Sequence, residues 1–224
     1  MSYFYYDGPN SPMNAHVHTL FQVPLFEFPC FVDNQQEICA DMHARWQTRE
    51  MDKAVTETYC TEDTLNEDPL YANLCTKILT GVMDVWDKMA FTGIQPYITS
   101  MWANSLGKNA NIHDHGHSNS FYSGVWYPET PQLDPASKGG FLKFIDPVTQ
   151  KYQIMPQITQ QNMINSGEIY IEPKEGMLLI FPSWLEHGTV PNRYSTEPRF
   201  SVSFNIWFKG ELGYGHGLNR LNTK

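Results

Sequence analysis

The hydrophobic periodicity of this chain changes near Gly93, and this change constrains its fold more than any other feature. Upstream of Gly93, residues 34–46 and 70–89 have apolar side chains at the spacing of an α-helix. Downstream, short apolar segments alternate with clusters of Gly, Pro and Asn, a pattern typical of an antiparallel sandwich or barrel. The expected strands lie at 97–104, 123–127, 140–145, 168–172, 177–181 and 200–208.

We therefore predict a mainly β protein with flanking helices, of the α+β class. Its 224 residues fit a single domain. Within 1–224 we expect an N-terminal strand at 20–28, broken at Pro24, and two buttressing helices in 1–92. Asp33 or Asn34 is expected to cap the first helix, and Asp68-Pro69 the second. The β core then occupies 93–210, and 211–224 forms a tail on the surface.

Composition excludes several classes of partner. The net charge is −9 and the 15 Lys and Arg residues are scattered, whereas a nucleic-acid-binding protein needs a basic stripe. No apolar run approaches the length of a membrane span, and the N-terminus lacks the pattern of a secretory signal. The four cysteines form no CxxC pair, which is typical of reduced thiols. We expect a cytoplasmic protein without a nucleic-acid or membrane partner.

Three histidines alternate with other residues within five positions: His113, His115 and His117. In an extended segment these side chains share one face, and Asp114 points to the other. A fourth histidine, His187, follows a strand-like apolar run far downstream. Neutral imidazole suits iron, zinc, copper and nickel, so the pattern predicts a metal site inside a β-barrel.

The last predicted strand places Arg199, Ser201 and Ser203 on one face. A guanidinium inside a barrel requires a partner, because an unpaired buried charge is costly. A carboxylate ligand is one candidate, since the guanidinium binds it through two hydrogen bonds and a hydroxyl adds a third. The alternative is an ion pair between Arg199 and a nearby acid such as Glu186 or Glu197.

These motifs resemble those of the iron(II)- and 2-oxoglutarate-dependent dioxygenases, specifically a branch common in marine bacteria and their phages. The resemblance implies a double-stranded β-helix (jelly roll) with helices packed against one sheet. It also implies iron held by a His-x-Asp/Glu pair and a distal His, and an Arg-x-Ser pair for the distal carboxylate of 2-oxoglutarate. The similar segments are Leu20-Phe-Gln-Val-Pro, Trp102-Ala-Asn, His115-Gly-His, Ser123-Gly-Val-Trp-Tyr, Pro182-Ser through His187, and Arg199-Phe-Ser-Val-Ser-Phe-Asn.

One motif departs from the superfamily, because the chain contains no His-x-Asp. The resemblance assigns the pair to His115 and His117 and the distal ligand to His187, and these three are then also the catalytic residues. His113 is an alternative from the same face, and Asp114 is a weaker one.

For the co-substrate, the resemblance assigns Arg199 and Ser201 to the carboxylate of 2-oxoglutarate. Asn104 ends an aromatic strand, so its side chain either stops that strand through the turn or points into the pocket and adds a hydrogen bond. Trp102 and Tyr127 are expected in the core.

The resemblance implies an oxygenase of the hydroxylase type with iron(II), 2-oxoglutarate and O₂, acting on a small molecule or a protein side chain. Two other classes stay open: a cupin-type metalloprotein without 2-oxoglutarate, and a non-catalytic jelly roll that binds no metal. The loops around 121–135 and 150–165 are candidates for the substrate site.

Overall fold

The computed structural model describes residues 22–49, 58–130, 138–148, 153–154, 156–193, 198–213 and 220–223. Within these ranges the chain forms two α-helices, α1 (Gln35–Thr48) and α2 (Ala72–Lys88). Short 3₁₀ turns at Leu65–Glu67 and Pro69–Tyr71 precede α2. The strands are β1 (Phe26–Pro29), β2 (Thr58–Cys60), β3 (Ile94–Leu106), β4 (Tyr122–Tyr127), β5 (Leu142–Ile145), β6 (Glu168–Ile171), β7 (Met177–Pro182), β8 (His187–Thr189), β9 (Arg199–Leu212) and β10 (Leu221–Thr223).

The strands form two antiparallel sheets. The large sheet has seven strands in the order β1-β7-β4-β9-β3-β2, with β10 paired to β9, and the small sheet has the order β6-β5-β8. The expected mainly β fold with flanking helices is confirmed, and its two sheets form the jelly roll of a double-stranded β-helix.

The large sheet is covered on both faces, which explains why every residue of β4 and β7 is buried. One face packs on the helices through residues such as Trp126 and Ile180. The other face contributes Val125 and Leu179 to a second apolar cluster, which also contains Phe144 of the small sheet. Strands buried on both faces have a continuous apolar sequence instead of an alternating one.

Helix α2 confirms its predicted apolar face, because Leu74, Ile78, Val82 and Val85 are buried. The predicted capping is wrong in part. The carboxylate of Asp68 accepts a hydrogen bond from Leu70 N, but this caps the 3₁₀ turn before α2.

At α1, Asn34 lies at the N-cap without a side-chain capping bond, and Asp33 precedes it. The Asn34 amide donates instead to Leu70 O at 2.8 Å, so it ties α1 to the 3₁₀ turn. Among the described residues, no helix combines the length and apolar character needed to cross a bilayer.

The predicted boundary at Gly93 does not separate the sheet from the rest of the chain. β1 and β2 come from the first 92 residues and form the two edges of the large sheet. β9 runs on to Leu212 and β10 pairs with 210–212, so the described part of the expected tail belongs to the sheet. Residues 20–21 of the predicted first strand lie outside the described ranges, and the strand begins after Pro24, at Phe26.

Gly124 in β4 has no room for a side chain, because an added Cβ would lie 2.4 Å from Leu179 O and 2.2 Å from the Phe204 ring. We expect Gly124→Ala to destabilise the fold by about 1–3 kcal/mol through overpacking. Gly81 in α2 is the matched control, since its added Cβ would make ordinary contacts at 3.4 Å and beyond. Thermal unfolding should show a lower Tm for Gly124→Ala, and a Tm for Gly81→Ala that is unchanged or higher.

Candidate active site

The backbone brings the upstream and downstream histidines side by side. His115 N donates to His187 O and His187 N donates to His115 O, both at 2.9 Å. Two residues further on, His117 N donates to Ser183 O at 2.8 Å. The segment that contains His115 and His117 therefore runs antiparallel to residues 183–187. Ligand atoms from the three imidazoles lie within 4.8 Å of one another.

Backbone carbonyls orient two of the three rings. His115 Nδ1 lies 2.7 Å from His113 O, and His187 Nδ1 lies 2.8 Å from Leu185 O. A ring nitrogen facing a carbonyl must be the protonated one, so Nε2 of each ring keeps its lone pair for a metal. His117 Nε2 lies 3.3 Å from His187 Nε2.

The rings of His117 and His187 are neutral near pH 7. Burial, with a smaller contribution from the adjacent His115, lowers the pKa of each to about 4. A metal binds neutral imidazole, so these two groups need not lose a proton to become ligands. The three side chains fit a divalent cation such as iron(II).

The structure places the two alternative ligands elsewhere. His113 is exposed and lines a separate cavity, together with Asp114 and Lys143. Asp114 Oδ2 accepts a hydrogen bond from Lys143 Nζ at 2.7 Å. The expectation that His113 shares the face of His115 is wrong, because the backbone bends at residue 114 and ends the regular alternation there.

A cavity of about 190 Å³ extends from the histidines to Arg199. As predicted from alternation, Arg199, Ser201 and Ser203 all line it. Asn104 also lines it, and lies opposite Ser201 in the β3–β9 register. The structure thus collects every residue of the predicted metal and co-substrate sites around one cavity.

Arg199 is only 1% exposed. Among the described residues, Nε and Nη1 of its guanidinium have no hydrogen-bond partner. Glu186 forms no ion pair with Arg199, and Glu197 lies outside the described ranges. Buried donors of a charged group require an acceptor, and an anionic carboxylate in this cavity supplies one. The residues present therefore fit a dicarboxylate such as 2-oxoglutarate.

Two further residues line the cavity: Tyr127, whose expected place in the core is confirmed, and Cys60, which the sequence analysis did not single out. Tyr127 is fully buried, and the guanidinium carbon of Arg199 lies 5.3 Å from the centre of its ring. Tyr127 follows Val125 by two residues on β4, so both side chains lie on the face of the strand that lines the cavity. Cys60 lies on β2, and its thiol donates to Asn104 Oδ1 at 3.1 Å. No pattern around Cys60 indicated this position.

Asn104 is held on both sides of its amide, because Nδ2 donates to Ser203 Oγ at 2.9 Å while Oδ1 accepts from Cys60. It points into the pocket, and its contact with 2-oxoglutarate stays a prediction. Trp102 was expected in the core but lines the cavity, with its ring centre 5.7 Å from that of His117.

Comparison with known proteins agrees with this geometry. Residues 100–205 match the family described as "Putative 2OG-Fe(II) oxygenase". No curated protein sequence matches the chain.

Among solved structures, HygX from Streptomyces hygroscopicus with nickel, 2-oxoglutarate and hygromycin B bound is 14% identical, with 82% of each chain covered and a TM-score of 0.57. A prolyl-4-hydroxylase from Pseudomonas putida is 14% identical, with 83% of this chain and 92% of that chain covered and a TM-score of 0.55. The epimerase SnoN in complex with Fe³⁺, alpha ketoglutarate and nogalamycin RO is 12% identical, with 90% of each chain covered and a TM-score of 0.57.

At these identities the similarity to solved structures shows the double-stranded β-helix fold alone. The family match is more specific, because its segment contains the three clustered histidines, Arg199 and Ser201. Residues 100–205 of this chain thus match the iron(II)- and 2-oxoglutarate-dependent oxygenases, and the histidine cluster and Arg199 within this segment fit that activity.

Proposed function

We propose that this oxygenase is of the hydroxylase type and that His115, His117, His187, Arg199 and Ser201 form its active site. The observation that supports this most is the shared cavity, with three imidazoles at one place and, at another, a buried guanidinium whose Nε and Nη1 have no hydrogen-bond partner among the described residues. With iron(II) bound, such a site combines O₂, 2-oxoglutarate and substrate R–H to give R–OH, succinate and CO₂.

The three histidines would hold the metal through ring nitrogens, and backbone carbonyls already orient two of these rings. The carbonyls of His113 and Leu185 keep the Nδ1 protons of His115 and His187, so both rings present Nε2. All three ligands are neutral in this set, so the site is less negative than one with a His-x-Asp pair. That difference changes metal affinity and redox tuning.

Arg199 binds the distal carboxylate of 2-oxoglutarate, and Ser201, two residues along the same face of β9, adds a hydrogen bond. Burial raises the pKa of Tyr127, so its phenol stays protonated beside the guanidinium. Apolar walls from Val125, Leu142 and Phe181 keep water away from these groups and strengthen the interaction of Arg199 with the anion.

The two alternative classes explain fewer of these features. A cupin-type metalloprotein without 2-oxoglutarate uses the histidines but leaves Arg199 buried without an anion. A non-catalytic jelly roll accounts for neither the clustered imidazoles nor the guanidinium.

We further propose that the substrate is a small molecule or a protein side chain, and that neither nucleic acid nor a membrane is a partner. The net charge of −9 supports this, because it disfavours binding to phosphates. We also propose a cytoplasmic location. All four cysteines are free thiols, as expected in a reducing compartment.

Release of succinate from 2-oxoglutarate tests the proposed activity. We expect the iron(II)-loaded protein, mixed with O₂ and a panel of candidate substrates, to release succinate above the rate without substrate. Arg199→Met should abolish this release, whereas the surface variant Arg220→Met should retain it, because Arg220 pairs with Glu211 on the surface. Equal release by wild type and Arg199→Met would contradict the assignment of Arg199.

A further inference from the structure

The outer face of the small sheet has a row of polar side chains directly behind the metal-binding histidines. Lys143 of β5 lies opposite Gly188 of β8 on one side and Tyr170 of β6 on the other. The backbone bridge between His115 and His187 places Asp114 beside Gly188. The order across this face is thus Asp114, Gly188, Lys143 and Tyr170.

Gly188 allows Asp114 and Lys143 to meet. A Cβ at position 188 would lie 2.3 Å from Asp114 Oδ1 and 2.9 Å from Ile112 O. Because that side chain is absent, the Asp114 carboxylate lies over β8, and Lys143 Nζ reaches Oδ2 at 2.7 Å. Glu168 Oε1 is a second acid, 3.6 Å from Lys143 Nζ.

This ion pair differs from an ordinary surface pair. The Lys143 side chain is only 18% exposed and that of Asp114 33%, so both are partly shielded from solvent. Exposed pairs contribute little because water and salt screen them, and partial burial reduces this screening. Lys143 is also shared between two acids, so its position is determined by more than one contact.

The segment that contains His115 and His117 has few other attachments to the fold. This segment, residues 112–117, is not a regular strand. Its described backbone hydrogen bonds to other parts of the chain are those to Ser183, His187 and Thr189. Thr189 Oγ1 also accepts from Ile112 N at 2.7 Å. Among the described residues, the Asp114–Lys143 pair is the one ion pair between this segment and β5.

We infer that Asp114 and Lys143 are positioning residues for the metal centre: by meeting over Gly188, they hold the segment of His115 and His117 at the distance from His187 that a shared metal requires. This inference rests on the proposed function, because it assumes that the three histidines bind a metal. The sequence left Asp114 open as an alternative metal ligand. In this inference it does not bind the metal itself and acts through its neighbour His115. Partners outside the ligand set typically change metal affinity by about 10–100-fold.

Titration of the apoprotein with cobalt(II), followed by visible absorption, tests this inference without measuring activity. We expect Lys143→Met to weaken cobalt(II) binding about tenfold, and Asp114→Asn to have a similar effect. The double variant should lose no more than either single variant, because both remove the same interaction.

Lys143→Arg keeps the positive charge and should restore affinity to within about twofold of wild type. The matched control is Lys88→Met on α2, where Lys88 pairs with Asp84 at 2.6 Å on the surface, and it should bind as wild type does.

The outcomes separate this inference from the function on which it rests. Wild-type protein that binds no cobalt(II) would overturn both. Wild-type binding with an unchanged affinity in Lys143→Met, or additive losses in the double variant, would overturn the positioning role alone. Failure of Lys143→Arg to recover cobalt(II) affinity would also overturn it, because the positive charge of Lys143 would then not account for the effect.

Discussion

Replacement of His187 by alanine is expected to remove iron(II) binding at micromolar metal. This ring presents Nε2 to the cluster while its Nδ1 lies against Leu185 O. Structural zinc sites with four ligands have apparent binding free energies of about 10–16 kcal/mol, so one ligand is worth roughly 3 kcal/mol. That loss corresponds to more than about a hundredfold in affinity.

His113→Ala is the matched control for this variant and also tests the alternative ligand. His113 belongs to the same short histidine run but lines the separate cavity. Metal analysis after dialysis should find wild-type content in His113→Ala and almost none in His187→Ala. Full metal content in His187→Ala would show that the ligand assignment is wrong.

Replacement of Arg199 by methionine should abolish binding of 2-oxoglutarate at ordinary concentrations. The variant keeps most of the side-chain volume but leaves the distal carboxylate desolvated and without a partner. Breaking a buried ion pair costs about 3–5 kcal/mol, which is more than a hundredfold in affinity. Equilibrium binding of 2-oxoglutarate to the iron(II) protein under nitrogen measures this directly.

Arg199→Lys separates charge from geometry. Lysine keeps the positive charge but has no planar fork, so intermediate affinity is expected. Wild-type affinity in Arg199→Met would mean that the anion binds elsewhere.

Much of the fold was predictable because long elements have strong periodicity. The apolar runs of β4 and β7 and the buried face of α2 are each long enough to indicate their type. The strands β2, β8 and β10 have three residues each, too few to show alternation. Their pairing depends on contacts with distant strands, and a local pattern does not encode these.

The same contrast between long, regular strands and short or irregular segments applies to the site. Alternation along β9 correctly placed Arg199 and Ser201, because a paired strand enforces a period of two. It failed at His113, where the segment bends and is joined to β8 by the isolated bridge between His115 and His187. Cys60 reaches the cavity only through the pairing of β2 with β3, opposite Asn104. The single-domain organisation and the assignment to a marine branch stay predictions.

The central claim is that one cavity binds iron(II) through its histidines and 2-oxoglutarate through Arg199, and the visible spectrum of the anaerobic protein tests it most directly. A keto acid bound to iron(II) produces a weak charge-transfer band, whereas neither component absorbs there alone. We expect wild-type protein with iron(II) to develop this band when 2-oxoglutarate is added, and Arg199→Met to bind iron(II) but show no band. Wild-type protein that binds iron(II) and shows neither the band nor succinate release would contradict the account and favour a cupin-type metalloprotein.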